Sequence, residues 1–166
     1  MNAIKYVIGD ATAPIGEGPQ LIAHICNDQG GWGSGFVLAV SKRWPEPEEM
    51  YRSWARMGSG GGFRLGETQF AHVSLNHNIV VANMVAQRGF VTGDNRRAVD
   101  YDALRTCLET VALVATGSAV VFTPRSSVHM PRIGCGLGGG TWEEIELIIT
   151  ETLVNSGVDV TVYDLP

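Results

Sequence analysis

The stretch that most constrains the fold runs from Ser127 to Thr141, SVHMPRIGCGLGGGT. Apolar Val128, Met130 and Ile133 open it as a short strand, and Gly134, Gly136, Gly138, Gly139 and Gly140 then crowd into seven residues. Thr141 follows, with Glu144 three positions on and an apolar run of helical spacing behind it, the Thr-x-x-Glu pattern of a capping box at a helix start. A strand feeding a glycine loop feeding a helix N-terminus is an anion cradle. Without Cβ atoms the backbone can approach a phosphate closely, and the N–H groups and the helix dipole both favour negative charge. The stretch predicts a phosphate or pyrophosphate held over residues 134–140, with an unliganded glycine turn as the plain alternative.

Gly134, Gly136 and Gly139 also spell the dinucleotide fingerprint G-x-G-x-x-G, with Asp164 further on. In a nicotinamide enzyme that fingerprint opens a two-part sheet, whereas only one helical pattern and one strand pattern follow it here. A Rossmann dehydrogenase is disfavoured, and another nucleotide-diphosphate fold stays open.

The rest of the chain reads as strands interspersed with helices. Residues 3–8 alternate loosely as a strand before Gly9 and Asp10, and residues 21–26 form a nearly continuous apolar run, suited to a strand covered on both faces. A second glycine loop, residues 27–35, leads to a helix expected from Ser34 to Arg43, stopped by Pro45. Pro47, Glu48 and Glu49 open another, with Met50, Tyr51, Trp54 and Met57 on one face. Residues 68–73 and 79–86 read as a hairpin over residues 75–78, and the polar, arginine-containing residues 87–99 as a surface loop. Tyr101, Leu104, Leu108, Val111 and Ala115 mark an amphipathic helix, Trp142, Ile145, Ile149 and Leu153 the last helix, and residues 158–163 the last strand. These elements predict one domain, residues 1–166, of α/β class: a three-layer α/β/α sandwich with a central mixed sheet of about six strands and ligands at the strand C-termini.

Charge and cysteine usage narrow the partners. A net charge of −5 argues against a strong nucleic-acid surface. Cys26, Cys107 and Cys135 lack paired spacing, which suggests thiols in a reducing compartment, and no long apolar run suggests a membrane segment. A cytoplasmic monomer is expected. His24, His72, His77 and His129 share no ligand spacing, so no metal is expected.

Taken together, Gly9-Asp10-Ala11-Thr12, His24-Ile25-Cys26-Asn27-Asp28, the run from Gly30 to Gly35, the run from Pro131 to Leu137 and the closing Val162-Tyr163 resemble the macrodomain family, an ADP-ribose-binding fold. The resemblance covers nearly the whole chain and is similar to the branch of ADP-ribose 1″-phosphate phosphatases and the terminal ADP-ribose protein glycohydrolase. It implies ADP-ribose and ADP-ribosylated proteins as partners and no cofactor. Asp10 would accept from the adenine amino group, Asn27 with Gly33, Ser34 and Gly35 would hold the distal ribose, and Gly134, Cys135, Gly136, Leu137, Gly138, Gly139 and Gly140 would wrap the diphosphate. Ala11 and Tyr163 complete this set, and Trp32 either covers the ligand or caps a core edge.

Chemistry is less determined. The related glycohydrolase pairs a lysine, on the strand matching residues 79–87, with an aspartate after the Gly-Cys-Gly-Leu stretch. Here that strand has no lysine, and Gly138 stands in the aspartate's place. Cleavage at an anomeric carbon passes through an oxocarbenium-like state. A carboxylate, with a conjugate-acid pKa of about 4, departs without a strong general acid, as a hydroxyl or guanidine does not. The expected activity is therefore hydrolysis of ADP-ribose on acidic side chains or of ADP-ribose 1″-phosphate, with a non-catalytic reader as the alternative. Asn27 would fix the sugar, Asp28 would polarise water, and His24 is either a third catalytic group or a core histidine. Cys135 could suggest a nucleophile, but no base is evident beside it.

Overall fold

The computed structural model describes residues 3–119 and 125–166. Its strands, β1 (Lys5–Ile8), β2 (Gln20–Asn27), β3 (Thr68–Ser74), β4 (Ile79–Gln87), β5 (Ser127–Pro131) and β6 (Val160–Asp164), form a six-stranded sheet in the order β1-β6-β5-β2-β4-β3. The first five in that order run parallel, and β3 pairs antiparallel with β4. The sheet is mixed because residues 75–78 close a tight connection, with Asn78 at φ 54°, and so short a link joins only antiparallel neighbours.

Helices α1 (Phe36–Arg43) and α2 (Glu46–Met57) cover one face, while α3 (Tyr101–Ala115) and α4 (Trp142–Thr152) cover the other. The strands serve both cores through their period of two. Along β2, Leu21 and Ala23 pack under α3 and α4, whereas Ile22 and Cys26 pack under α1 and α2. On α3, Leu104, Leu108 and Val111 are fully buried, each contributing about 1.5–3 kcal/mol relative to exposure.

Several boundaries differ from the sequence reading. Helix α1 starts at Phe36 rather than Ser34, because Gly35 sits at φ 83° and ψ −150°, outside helical space. Strand β5 ends at Pro131, which leaves Ile133 buried in the loop behind it. The loop of residues 87–99 is not wholly superficial, since Ala98 and Val99 return to the core. The capping box does not form. Thr141 takes the N-cap position of α4, but its side chain makes no capping bond. Its backbone N–H instead donates to the Tyr101 hydroxyl at 3.1 Å. It is α3 that carries a side-chain cap, the Asp100 carboxylate accepting from the Ala103 N–H at 2.9 Å. No described helix is long and apolar enough to cross a membrane.

Candidate functional site

Because β1, β6, β5, β2 and β4 are parallel, the residues that follow them emerge at one sheet edge, where an open α/β sheet offers its crevice. A cleft of about 450 Å³ lies there, within the range of roughly 300–1,000 Å³ usual for small-molecule sites. Four segments line it: the end of β2 from His24 to Asn27, Gly31 with the run from Gly33 into α1, Gln87 at the end of β4 with Phe90 and Val91 beyond it, and the glycine loop after β5.

The glycine loop divides into two halves. Gly134, Gly136, Leu137 and Gly138 line the cleft, and among the described residues the N–H groups of Gly136, Leu137 and Gly138 find no protein acceptor. The second half is committed to the fold. The Gly140 N–H donates to the Gly134 carbonyl at 2.7 Å. Gly139 sits at φ 71°, where an added Cβ would lie 2.3 Å from the Arg96 carbonyl oxygen. Of residues 134–140, expected as a cradle, only the first part faces the cleft, and Gly139 and Gly140 brace it from behind.

The helix whose N-terminus opens on the cleft is α1, not α4. Ser34, Gly35, Phe36 and Val37 line the cleft. Helix α1 has no side-chain cap and no acidic residue in its first turn. Helix α4 carries Glu143 and Glu144 there, which offset its dipole internally. Gly35 approaches Leu137 so closely that an added Cβ would meet Leu137 Cδ1 at 3.1 Å, so the two N–H-bearing segments face one cavity. Together they offer an anion the combination of orphan amides and dipole described for helix N-termini.

At the β2–β4 side, Asn27 is a hub. Its Oδ1 accepts from the N–H groups of Gln29 and Gly31 at 2.9 and 3.1 Å, and its Nδ2 donates to the Gly31 carbonyl at 2.9 Å. Asp28 does not line the cleft; its carboxylate accepts from the Gly89 N–H at 2.8 Å, which ties the β4–α3 loop to the β2–α1 loop. The expected water-polarising carboxylate is therefore a loop anchor. Phe90, carried by that anchored loop, is half exposed at the cleft mouth and rests on Gly31.

His24 lies beneath the cleft, fully buried between the rings of Trp32 and Phe36. Its Nε2 is 2.6 Å from Asn83 Oδ1, and its Nδ1 has no partner. Burial lowers its pKa to about 4, the Asn83 hydrogen bond opposing, so the imidazole is neutral at ordinary pH. Trp32 belongs to the core, donating from Nε1 to Ser41 at 2.7 Å, and does not cover the cleft.

Asp10 and Ala11 lie outside the cleft wall, beside β6. Ala11 is buried, and Asp10 Oδ1 accepts from both the N–H and the hydroxyl of Thr12, with Arg43 at 3.7 Å from Oδ2. Burial pushes the Asp10 pKa up, but the Thr12 bonds and the Arg43 charge outweigh it and leave it lowered. Tyr163 is likewise buried, its hydroxyl accepting from the Ile15 N–H at 3.0 Å. The Cys135 thiol stays off the cleft wall, and burial raises its pKa, Arg132 opposing; it is no preformed thiolate. Lys42 lies in the last turn of α1, at the far end from the cleft. Among the described residues no three His, Cys, Asp or Glu side chains gather at metal-binding range.

An α/β/α sandwich with a cleft at the C-terminal edge of its parallel strands, lined by a glycine loop and a helix N-terminus, defines the class. No protein-family profile matches the chain. Solved structures do. A macrodomain protein from Streptomyces coelicolor is 48% identical, with 97% of this chain and 98% of that one covered and a TM-score of 0.82. A protein of unknown function from Bacteroides thetaiotaomicron is 51% identical over 98% of both chains, with a TM-score of 0.87. The chain belongs to the macrodomain family. Among curated relatives it is 30% identical to an uncharacterised 17.5 kDa protein of Enterobacteria phage T4, over 97% of this chain and 96% of that one. It is 26% identical to an ADP-ribose 1″-phosphate phosphatase of Candida albicans, over 89% and 92% of the two chains.

Proposed function

We propose that the protein binds ADP-ribose in this cleft and hydrolyses ADP-ribosyl bonds to good leaving groups, ADP-ribose 1″-phosphate or ADP-ribose esterified to acidic side chains. The observation that carries the reading is the pair of unpartnered N–H clusters, at residues 136–138 and at the α1 N-terminus, facing one cleft without a carboxylate in its wall. Such a cleft suits a diphosphate. The strand order supports a direction for the ligand once Asp10 is taken as the adenine contact that the macrodomain resemblance implies. With the diphosphate between the loops after β5 and β2, Asp10 after β1 lies on one side and Asn27 and Gln87, the last residues of β2 and β4, on the other. Adenine belongs toward Asp10 and the distal ribose toward β4. Family membership and the relative named as a phosphatase of ADP-ribose 1″-phosphate support the same ligand.

The wall composition supports the substrate class. Its ionisable side chains are His24 and Cys26, both buried and neutral, and Arg132. Among the described residues of the wall there is no general acid, so the departing group has to be stable as an anion: a carboxylate or a phosphate. The lysine and aspartate of the related glycohydrolase are replaced by structure as well as by sequence. A Cβ at Gly138 would lie 2.8 Å from the Gly134 carbonyl oxygen, so the loop in this conformation has no room for an aspartate there. The absence of that pair is also what favours the second reading, a non-catalytic reader. Incubation with a glutamate-ADP-ribosylated protein and, separately, with ADP-ribose 1″-phosphate distinguishes them. Release of ADP-ribose above the uncatalysed rate is expected, and binding without release from either substrate would leave the reader.

A further inference from the structure

We propose that Gln87, at the C-terminal end of β4, is the catalytic side chain that orients the attacking water. This assignment rests on the hydrolase reading above. Gln87 is the register partner of Asn27 across β2 and β4, and both line the cleft on the side where the distal ribose belongs. Its orientation is chemically determined. Gln87 lies 2.9 Å from the Gly89 carbonyl oxygen, which can only accept, so the amide nitrogen faces Gly89 and Oε1 is turned the other way. Among the described residues Oε1 has no protein partner. The backbone holds the position from below, since the Asp28 N–H donates to the Gln87 carbonyl at 2.9 Å.

The alternatives on the same wall are already occupied or chemically unsuited. The Asn27 Oδ1 accepts from the N–H groups of Gln29 and Gly31, with the Tyr51 hydroxyl 3.0 Å away. The Asp28 carboxylate is turned to Gly89. His24 Nδ1 is sealed in the core. Ser34 stands at the α1 N-terminus, on the anion side. Gln87 thus supplies an acceptor oxygen at the sugar end without supplying a base.

A carboxamide can align water, as a glutamine does in nucleotide hydrolysis, but takes no proton at neutral pH. In the step, the water oxygen bonds to the anomeric carbon while accepted at one hydrogen by Gln87 Oε1. The bond from that carbon to the carboxylate or phosphate oxygen breaks with its electron pair on the leaving group, and the surplus water proton passes to bulk solvent. The substrate class follows from the residue: only a leaving group that needs no protonation is served.

The test uses the full chain and measures two quantities for wild type, Gln87→Ala, Gln87→Glu and Asp28→Ala. One is the single-turnover rate of ADP-ribose release from a glutamate-ADP-ribosylated protein, between about pH 5 and 8. The other is the ADP-ribose dissociation constant by calorimetry. Gln87→Ala is expected to lower the rate on the order of a hundredfold while changing the dissociation constant less than about threefold. The wild-type rate is expected to be flat with pH, and that of Gln87→Glu to rise with pH as the new carboxylate ionises. Asp28→Ala, which loosens the same loop from its other anchor, is expected to lose less rate than Gln87→Ala. An unchanged rate in Gln87→Ala, or an equal loss in Asp28→Ala, overturns the assignment and leaves the hydrolase reading standing. A wild type that binds ADP-ribose and releases none overturns both.

Discussion

The Tyr51 hydroxyl donates to the Asn27 carbonyl across 2.6 Å and lies 3.0 Å from Asn27 Oδ1, so a core residue of α2 fixes the cleft-lining residue at the end of β2, where the proposed distal ribose would sit. Tyr51 is fully buried, its ring tilted against Trp32 and edge-on to Phe63. Tyr51→Phe is expected to cost about 1–2 kcal/mol of stability, because it leaves a buried acceptor short of a donor. It should weaken ADP-ribose more than AMP, which lacks the distal ribose. Chemical denaturation with calorimetry on both ligands checks it, and equal weakening would detach Asn27 from the sugar.

Two glycines of one loop are predicted to behave oppositely. A Cβ at Gly136 meets nothing within 4 Å, so Gly136→Val should fold with near-native circular dichroism while its branched side chain obstructs the cleft and abolishes binding. Gly139→Ala adds strain at a positive φ and a Cβ 2.3 Å from the Arg96 carbonyl oxygen, so it should destabilise the fold itself, by about 1–3 kcal/mol or more. Melting curves of the two variants separate binding from architecture.

The contrast shows what was legible in the sequence. The strand, loop and helix order around residues 127–152 could be read from apolar periodicity and glycine spacing, as could the hairpin over residues 75–78. Which glycines face the cleft could not, because the division depends on Arg96 and Val99 arriving from a distant loop. The choice of helix was recoverable in principle. Glu143 and Glu144 in the first turn of α4, against Phe36, Val37 and Leu38 in that of α1, already distinguish a dipole that is offset from one that is open. Gln87 is not legible in the sequence, because a single glutamine at a strand end carries no pattern. Its meaning comes from the strand pairing that sets it beside Asn27.

Asp10 is predicted to have a structural share as well as a binding one. Its carboxylate gathers Thr12 and, more loosely, Arg43, so Asp10→Ala should loosen the turn after β1 and weaken both ADP-ribose and AMP, by about 1–3 kcal/mol in binding. Affinities equal to wild type for both ligands would place adenine elsewhere.

Stability should fall with acid through two buried histidines. His24 and His129 are both lowered to about 4 by burial, against an unfolded value near 6.5. The unfolded chain therefore binds more protons between about pH 6.5 and 4, and the folded state loses stability as pH falls through that window. The combined loss is on the order of a few kcal/mol. Melting temperature measured across the window checks the sign. A constant melting temperature would mean that the histidines charge without unfolding.

The central claim is that the two N–H-bearing segments form a diphosphate site for ADP-ribose, and calorimetry with ADP-ribose, paired with thermal melting, tests it most directly. Saturable binding is expected, stabilising the fold by about 2.7 kcal/mol at a hundredfold excess over the dissociation constant. Weaker binding of AMP, which lacks the second phosphate, is also expected. Absence of both heat and melting shift with ADP-ribose, at concentrations up to millimolar, would contradict it.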